Sequence, residues 1–408
     1  MIYSAFTRPL VALALGSITL AGCTAAVQEA APQQAANIAP PALTDPLYTD
    51  IDNPTTPADL SQTASILEVE RYRPNYQLTS CPSIPGPSFR SGDELGKALQ
   101  DAQAYSEAKN GLGLLVLKGG RKIHLSAAEG VNVTTPFASA SMMKSVIALL
   151  YGIAIDDGVI ASADDRVGDY LPEWSEDARG DITLRQLLTM SAGLGQSDFL
   201  KILLSPDIGS VALELEKTGE ADTEFAYNNA ITKVLTIVLD RQLVKAGKGG
   251  VLPYLQSELW CPLGNGDAQV WVDTTGQARG YAGLHAGMLD YANIGELIRN
   301  KGAVNGRQIV PADWIAQMAT PSKANPQYGL QVWLGTEHTA QRAYSATNPI
   351  KVPHSEPFDA KDIIYFDGFG GQRVYVIPSK ELVIVRFGEV NLTYDDAVIP
   401  NLLTRAAE

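Results

Sequence analysis

Leu112-Gly113-Leu114-Leu115-Val116-Leu117-Lys118, then Gly119-Gly120, then Arg121-Lys122-Ile123-His124-Leu125-Ser126-Ala127 reads as two strands, over 112–118 and 122–127, joined by a tight turn. Ahead of this hairpin, Leu95, Ala98, Leu99, Ala102 and Tyr105 recur at helical spacing, after Ser91-Gly92-Asp93 and before Asn110-Gly111, so a helix is predicted over 93–109. Near the other end of the chain, 362–366, 373–377 and 382–387 read as short strands with turn residues between them, and 395–406 as a final helix. The middle, from 141 to about 298, is mostly helical in pattern. Isolated hairpins are barely stable, so the strands at the two ends must pair with each other. The prediction is an α+β fold: an antiparallel β-sheet flanked by the N- and C-terminal helices, with a mostly helical domain of about 150–350 inserted and a cleft where the two parts meet. No internal repeat is visible.

The chain has 408 residues, of which 45% are hydrophobic and 19% charged, enough apolar material for a large core. Its formal net charge of -14 repels phosphate backbones and anionic lipid headgroups, which argues against nucleic acid and for small-molecule partners. Four histidines with no His-x-His or His-Glu-x-x-His spacing suggest no metal site, and no cofactor is expected.

At the N-terminus, Arg8 precedes an apolar run over 10–20, too short to span a bilayer, and the run ends in Leu20-Ala21-Gly22-Cys23. This resembles a bacterial lipoprotein signal: 1–22 would be removed and Cys23 lipidated. Thr24, rather than Asp, follows the cysteine; by the same resemblance, the protein is expected in the cell envelope, facing the periplasm from the outer membrane. Residues 23–66, rich in Ala, Pro, Gln and Thr, read as a flexible tether, and 67–408 as the folded domain. With Cys23 lipidated, Cys81 and Cys261 remain, either as a disulfide or as two buried thiols, since the sequence supplies no distance between them.

Ser141-Met142-Met143-Lys144 stands where an extended segment gives way to the apolar helical run Val146-Ile147-Ala148-Leu149-Leu150. Three-residue spacing puts Ser141 and Lys144 on one helix face, and the positive end of the helix dipole favours an anionic oxygen there. A desolvated lysine could take the serine proton. Ser106-Glu107-Ala108-Lys109 has the same spacing, but its place late in a polar-faced helix reads as solvated surface. Tyr227-Asn228-Asn229 adds, at a loop-to-helix junction, a phenol that near a cationic lysine could serve as base and an amide that could orient substrate or lysine, whereas Tyr291-Ala292-Asn293 falls inside an amphipathic helix and reads as structural. His285 reads as a packing residue, and the absence of Gly-x-Ser-x-Gly weighs against an α/β-hydrolase.

With these residues, and with the stretches Asp181-Ile182-Thr183-Leu184-Arg185-Gln186-Leu187-Leu188-Thr189-Met190-Ser191-Ala192-Gly193-Leu194, Gly283-Leu284-His285-Ala286-Gly287-Met288-Leu289-Asp290 and Gly368-Phe369-Gly370-Gly371-Gln372-Arg373-Val374-Tyr375-Val376-Ile377-Pro378, the chain resembles the serine β-lactamase, penicillin-binding protein and esterase superfamily from about 93 to 406. Its class C, family VIII esterase and 6-aminohexanoate-dimer hydrolase branch is the nearest likeness. The resemblance implies the β-lactamase/transpeptidase-like fold, with Ser141, Lys144 and Tyr227 catalytic and Asn229 closing the second motif. Backbone N–H groups of Ser141 and Gln372 would form the oxyanion hole. The sequence departs at the third motif, where Phe369-Gly370-Gly371 is expected on the strand in place of Lys-Thr-Gly, so a substrate carboxylate loses its usual cation. Glycines there would let substrate approach the strand edge. Arg373 could restore the charge, though alternation leaves its face open.

The function expected is hydrolysis of small-molecule esters or amides through an acyl-enzyme on Ser141. A β-lactamase or D-alanyl-D-alanine carboxypeptidase is the alternative within the same chemistry. A catalytically silent lipoprotein that binds peptidoglycan or a partner is the alternative outside it.

Overall fold

The structure, a computed structural model, describes residues 48–49, 75–81, 95–346 and 348–407. The signal segment 1–22, Cys23 and all of the expected tether except 48–49 lie outside the described residues. In chain order the main elements are α1 (Gly96–Ala108), β1 (Gly111–Lys118), β2 (Arg121–Ala127), α2 (Met143–Asp156), α3 (Asn229–Lys245), α4 (Met288–Arg299), β3 (Trp333–Leu334), β4 (Ile364–Gly368), β5 (Gln372–Ile377), β6 (Leu382–Gly388) and α5 (Val398–Ala406). Short helices fill the stretch between α2 and α3.

The β1–β2 hairpin closes through Gly119 and Gly120 at φ 55° and 75°, a left-handed pair that only glycine adopts without strain. The two ends of the chain meet as predicted: β6 pairs antiparallel with β1, Ile384 opposite Val116 and Val385 opposite Leu115, and the six strands run β3-β4-β5-β6-β1-β2. Every residue of β5 is buried, because both faces of the sheet are covered. On one face α4 comes close through Gly295, where a Cβ would stand 2.6 Å from Val383. The other face is covered by α1 and α5, which pack together. The predicted helix start at 395 moves to Val398, because the Asp395 carboxylate caps the Ala397 N–H and its own N–H donates to Tyr105 Oη.

A second, five-stranded sheet runs in the order Tyr48–Thr49, Asn75–Leu78, Ala268–Trp271, Leu284–Ala286 and Phe137–Ala138. No sequence signal announced it, since strands of two to four residues are too short to show alternation. Phe137 stacks on Phe387 of β6 at 4.7 Å and ties this sheet to the large one. Cys81 and Cys261 are joined as a disulfide, so the open alternative of two free thiols falls. α2 is buried on all sides from Met143 to Ala154, which explains its uninterrupted apolar run.

One local expectation is corrected. Ser106 is buried rather than solvated: it packs against the start of β1, where a Cβ on Gly111 would fall 2.2 Å from its Oγ. Lys109 reaches Thr393 Oγ1 at 2.9 Å.

Candidate active site

Ser141 lies in the turn Ala140–Met142 that connects the short strand Phe137–Ala138 to α2. Ser139 anchors this turn, donating its N–H to the Leu284 carbonyl at 2.7 Å, and Met142 and Met143 are fully buried beneath it. Ala140 carries φ 43°, a left-handed conformation that a residue with a Cβ rarely adopts and that packed surroundings must hold. Ser141 is therefore presented half-exposed from a rigid, strained bend.

Lys144, one turn on, is 1% exposed. Its Nζ lies 3.0 Å from Ser141 Oγ, 2.7 Å from Asn229 Oδ1 and 3.1 Å from the Tyr281 carbonyl. Burial pushes its pKa from 10.5 down to about 7, with the Asp367 carboxylate pulling weakly the other way. Near neutral pH the amine is thus part neutral, a proton acceptor held against a hydroxyl by two carbonyl-type oxygens.

Tyr227 precedes α3, whose N-terminus is capped by Asn228 accepting from the Ala230 N–H at 2.9 Å. The Tyr227 N–H donates to the Tyr344 carbonyl at 2.9 Å, and its ring packs among Tyr344, Trp333 and Tyr328 at 5.2, 5.9 and 6.0 Å. Lys144 Nζ is 4.8 Å from the ring centre. Burial drives the phenol pKa well above 10, Tyr328 and Asp367 add to the rise, and a hydrogen bond with Ser141 opposes it. The group is a protonated phenol, a donor rather than a base. Ser141 and Lys144 on one segment, and Tyr227 and Asn229 on another, therefore meet at one point.

The third motif sits differently from expectation. Phe369-Gly370-Gly371 is not on a strand; it is the turn between β4 and β5, with Gly368 opposite Gln372. Its glycines answer backbone demands: Gly370 and Gly371 have φ 80° and 97°, and a Cβ on them would fall 2.7 Å from Val390 and 2.9 Å from Arg386. The Gln372 side chain is bound to the Gly388 backbone by bonds of 2.8 and 2.9 Å. Arg373 is buried and held by Asp367 at 2.5 Å and Asp396 at 2.7 Å, so it does not stand in for the missing cation. Arg342 bridges the same two carboxylates at 3.1 and 3.0 Å, closing a buried quartet of two guanidiniums and two carboxylates.

A beta-lactamase profile matches residues 97–406. The chain belongs to the beta-lactamase family. Among its relatives is the 6-aminohexanoate-dimer hydrolase of Paenarthrobacter ureafaciens, 24% identical over 260 residues, which are 57% of this chain and 63% of that one. Less than two thirds of that relative's length is therefore matched. In structure the chain is similar to a Bacillus anthracis protein provisionally named a 6-aminohexanoate-dimer hydrolase, with a TM-score of 0.65, 19% identity and coverage of 83% of this chain and 91% of that one. It is also similar to a family VIII carboxylesterase, with a TM-score of 0.58, 15% identity and coverage of 79% and 99%. At such identities these likenesses speak for the fold.

In this beta-lactamase-family chain the decoy motif Tyr291-Ala292-Asn293 is structural, with Tyr291 Oη donating to the carbonyl oxygens of Phe137 and Leu284. His285 lies against Trp271 at 3.8 Å, and burial lowers its pKa to about 4. Among the described residues no group of three or more His, Cys, Asp or Glu is arranged to hold a metal ion. Sequence reasoning missed Tyr281, Trp333, Tyr344 and Asp367. Tyr281 acts through a backbone carbonyl, which every residue has, and the other three come from segments with no recognisable motif. A roomier cavity of about 400 Å³, lined by residues such as Asp156, Asp164, Arg185 and Trp314, contains none of the candidate catalytic groups.

Proposed function

We propose that this protein is a serine hydrolase that cleaves ester or amide bonds of small molecules through an acyl-enzyme on Ser141. The observation that carries this is Lys144, buried and held near pKa 7, with its Nζ 3.0 Å from Ser141 Oγ. The neutral amine takes the hydroxyl proton as Oγ attacks the carbonyl carbon, and the carbonyl oxygen becomes an oxyanion facing the N–H groups of Ser141 and Gln372. On collapse the leaving group departs with a proton from the Tyr227 phenol, which Lys144 replenishes. Water then attacks the acyl-enzyme, giving up a proton to the same pair and regenerating Ser141.

Esters and amides are favoured over β-lactams and peptide C-termini because Arg373, the one cation of β5, is already neutralised by Asp367 and Asp396. The deciding experiment is turnover of p-nitrophenyl butyrate beside a chromogenic cephalosporin, by the domain and by its Ser141→Ala variant. Serine-dependent ester cleavage with little cephalosporin cleavage is expected. Dominant cephalosporin cleavage would overturn the substrate class, and ester cleavage that survives Ser141→Ala would overturn the mechanism.

Export and lipid anchoring on Cys23, facing the periplasm, belong to the same reading and rest on Leu20-Ala21-Gly22-Cys23. Cys23→Ser should leave unprocessed or soluble protein on fractionation, and a variant still processed and lipidated would refute the anchor.

A further inference from the structure

The Tyr227 ring is held by three aromatic neighbours that are not equally secured. Trp333 and Tyr328 are 2% and 1% exposed, fixed by the core around them. Tyr344, the nearest of the three at 5.2 Å, is partly exposed, so packing alone leaves its ring room to turn. It is fixed at its far end instead, where Tyr344 Oη donates to Asp367 Oδ2 at 2.7 Å. That carboxylate is buried and is itself gripped by Arg342 at 3.1 Å and Arg373 at 2.5 Å.

Tyr344 also holds the backbone beneath the phenol. Its carbonyl accepts the Tyr227 N–H at 2.9 Å, and Ser345, next in the chain, forms an antiparallel bridge with Ala226. The N–H bond fixes the Cα of Tyr227 but leaves both side-chain torsions free, and the neighbouring rings must set those. A hydrogen bond to a carboxylate is a strong one, and this one runs from a buried, ion-paired group to the ring that faces Tyr227. Desolvation and the Asp367 carboxylate hold the Tyr344 phenol protonated, and its proton is committed to Asp367, so it serves neither as base nor as acid.

We infer that Tyr344 is a positioning residue for Tyr227: anchored on Asp367, it is a strut that holds the catalytic phenol within reach of Ser141. The inference rests on the hydrolase reading and concerns the geometry of its acid. The buried quartet gains a task beyond charge balance, since the carboxylate that pairs with Arg342 and Arg373 is also the anchor of the strut.

The test is a double-mutant cycle read on two substrates: p-nitrophenyl butyrate, whose leaving group needs no proton, and N-butyryl-p-nitroaniline, whose amine leaving group does. Tyr344→Phe keeps the ring and the carbonyl and removes only the hydroxyl that reaches Asp367. It should lower kcat on the anilide by about 10- to 100-fold with KM little changed, and lower ester turnover far less. In a Tyr227→Phe background the same change should have almost no further effect on the anilide, because no phenol is left to position. A merely structural role would slow both substrates alike and would persist in that background. Equal losses on the two substrates, full additivity in the double variant, or undiminished anilide turnover in Tyr344→Phe would overturn the inference. If wild type cleaves no anilide, the strut is judged by NMR of protein carrying 13Cζ-labelled tyrosine, with the Tyr227 signal assigned through Tyr227→Phe. A displaced or broadened Tyr227 signal in Tyr344→Phe then sustains the strut, and an unchanged one sinks it. Failure of wild type on the ester as well would refute the hydrolase reading separately.

Discussion

Lys144 shows what burial does to a single ionisable residue. Its folded pKa of about 7 lies below the 10.5 of the unfolded chain, so between these values the unfolded state binds more protons and stability rises with pH. Lys144→Met should therefore abolish turnover yet raise the melting temperature at pH 7 by several degrees, with the advantage shrinking toward pH 10. Equal melting curves at pH 7 would show that the buried amine is not strained. For the wild type, kcat/KM should climb with pH through a midpoint of about 7, because the base must be neutral to accept the Ser141 proton. A midpoint above 9 would remove Lys144 from that role. Tyr227, a protonated phenol, should matter most when the leaving group needs a proton. Tyr227→Phe is expected to lower amide turnover by about 10²–10⁴-fold and that of a p-nitrophenyl ester by much less. Equal losses on both substrates would contradict its role as an acid.

Among the elements, the β1–β2 and β4–β5 hairpin turns, each with a pair of glycines, make a useful contrast. In the β1–β2 turn a Cβ on Gly119 meets nothing nearer than Glu381 at 3.9 Å, so Gly119→Ala pays only for its left-handed backbone, about 1–2 kcal/mol. In the β4–β5 turn Gly371→Ala adds a contact of 2.9 Å with Arg386 and others with Tyr394, so it should cost more and shift Gln372, lowering activity as well as stability. Denaturant unfolding of both variants beside ester turnover separates the cases, and a Gly371→Ala variant as active as Gly119→Ala would deny the turn a part in placing the site. α2 shows how one element serves two ends: its buried apolar sides hold it against the rest of the domain, and its first turn carries Lys144.

On the scale of the whole molecule, two long-range ties hold the assembled site. The Arg342, Asp367, Arg373 and Asp396 quartet binds β4 and β5 to the segments before and after them, and burial within it tends to raise the Asp367 carboxyl while the Arg342 and Arg373 guanidiniums outweigh this and keep it ionised. Asp396→Asn should cost about 3–5 kcal/mol, measured by denaturant unfolding, because it leaves two buried guanidiniums sharing one carboxylate. The Cys81–Cys261 disulfide closes a span of 180 residues, and replacing both cysteines by serine should lower stability by up to about 5 kcal/mol. Much of this protein was legible in its residues alone. The Gly119-Gly120 hairpin, the late strands and the need of isolated strands for partners determined that the chain ends share one antiparallel sheet, and Ser141-Met142-Met143-Lys144 with Tyr227-Asn228-Asn229 was readable because helical spacing and residue chemistry are local. The small second sheet, the turn placement of Phe369-Gly370-Gly371, the neutralised Arg373 and the Tyr281 carbonyl on Lys144 were decided only by the tertiary structure. Each depends on which distant segment packs alongside, and burial, ion pairing and pKa are set by neighbours in space rather than by neighbours in the chain.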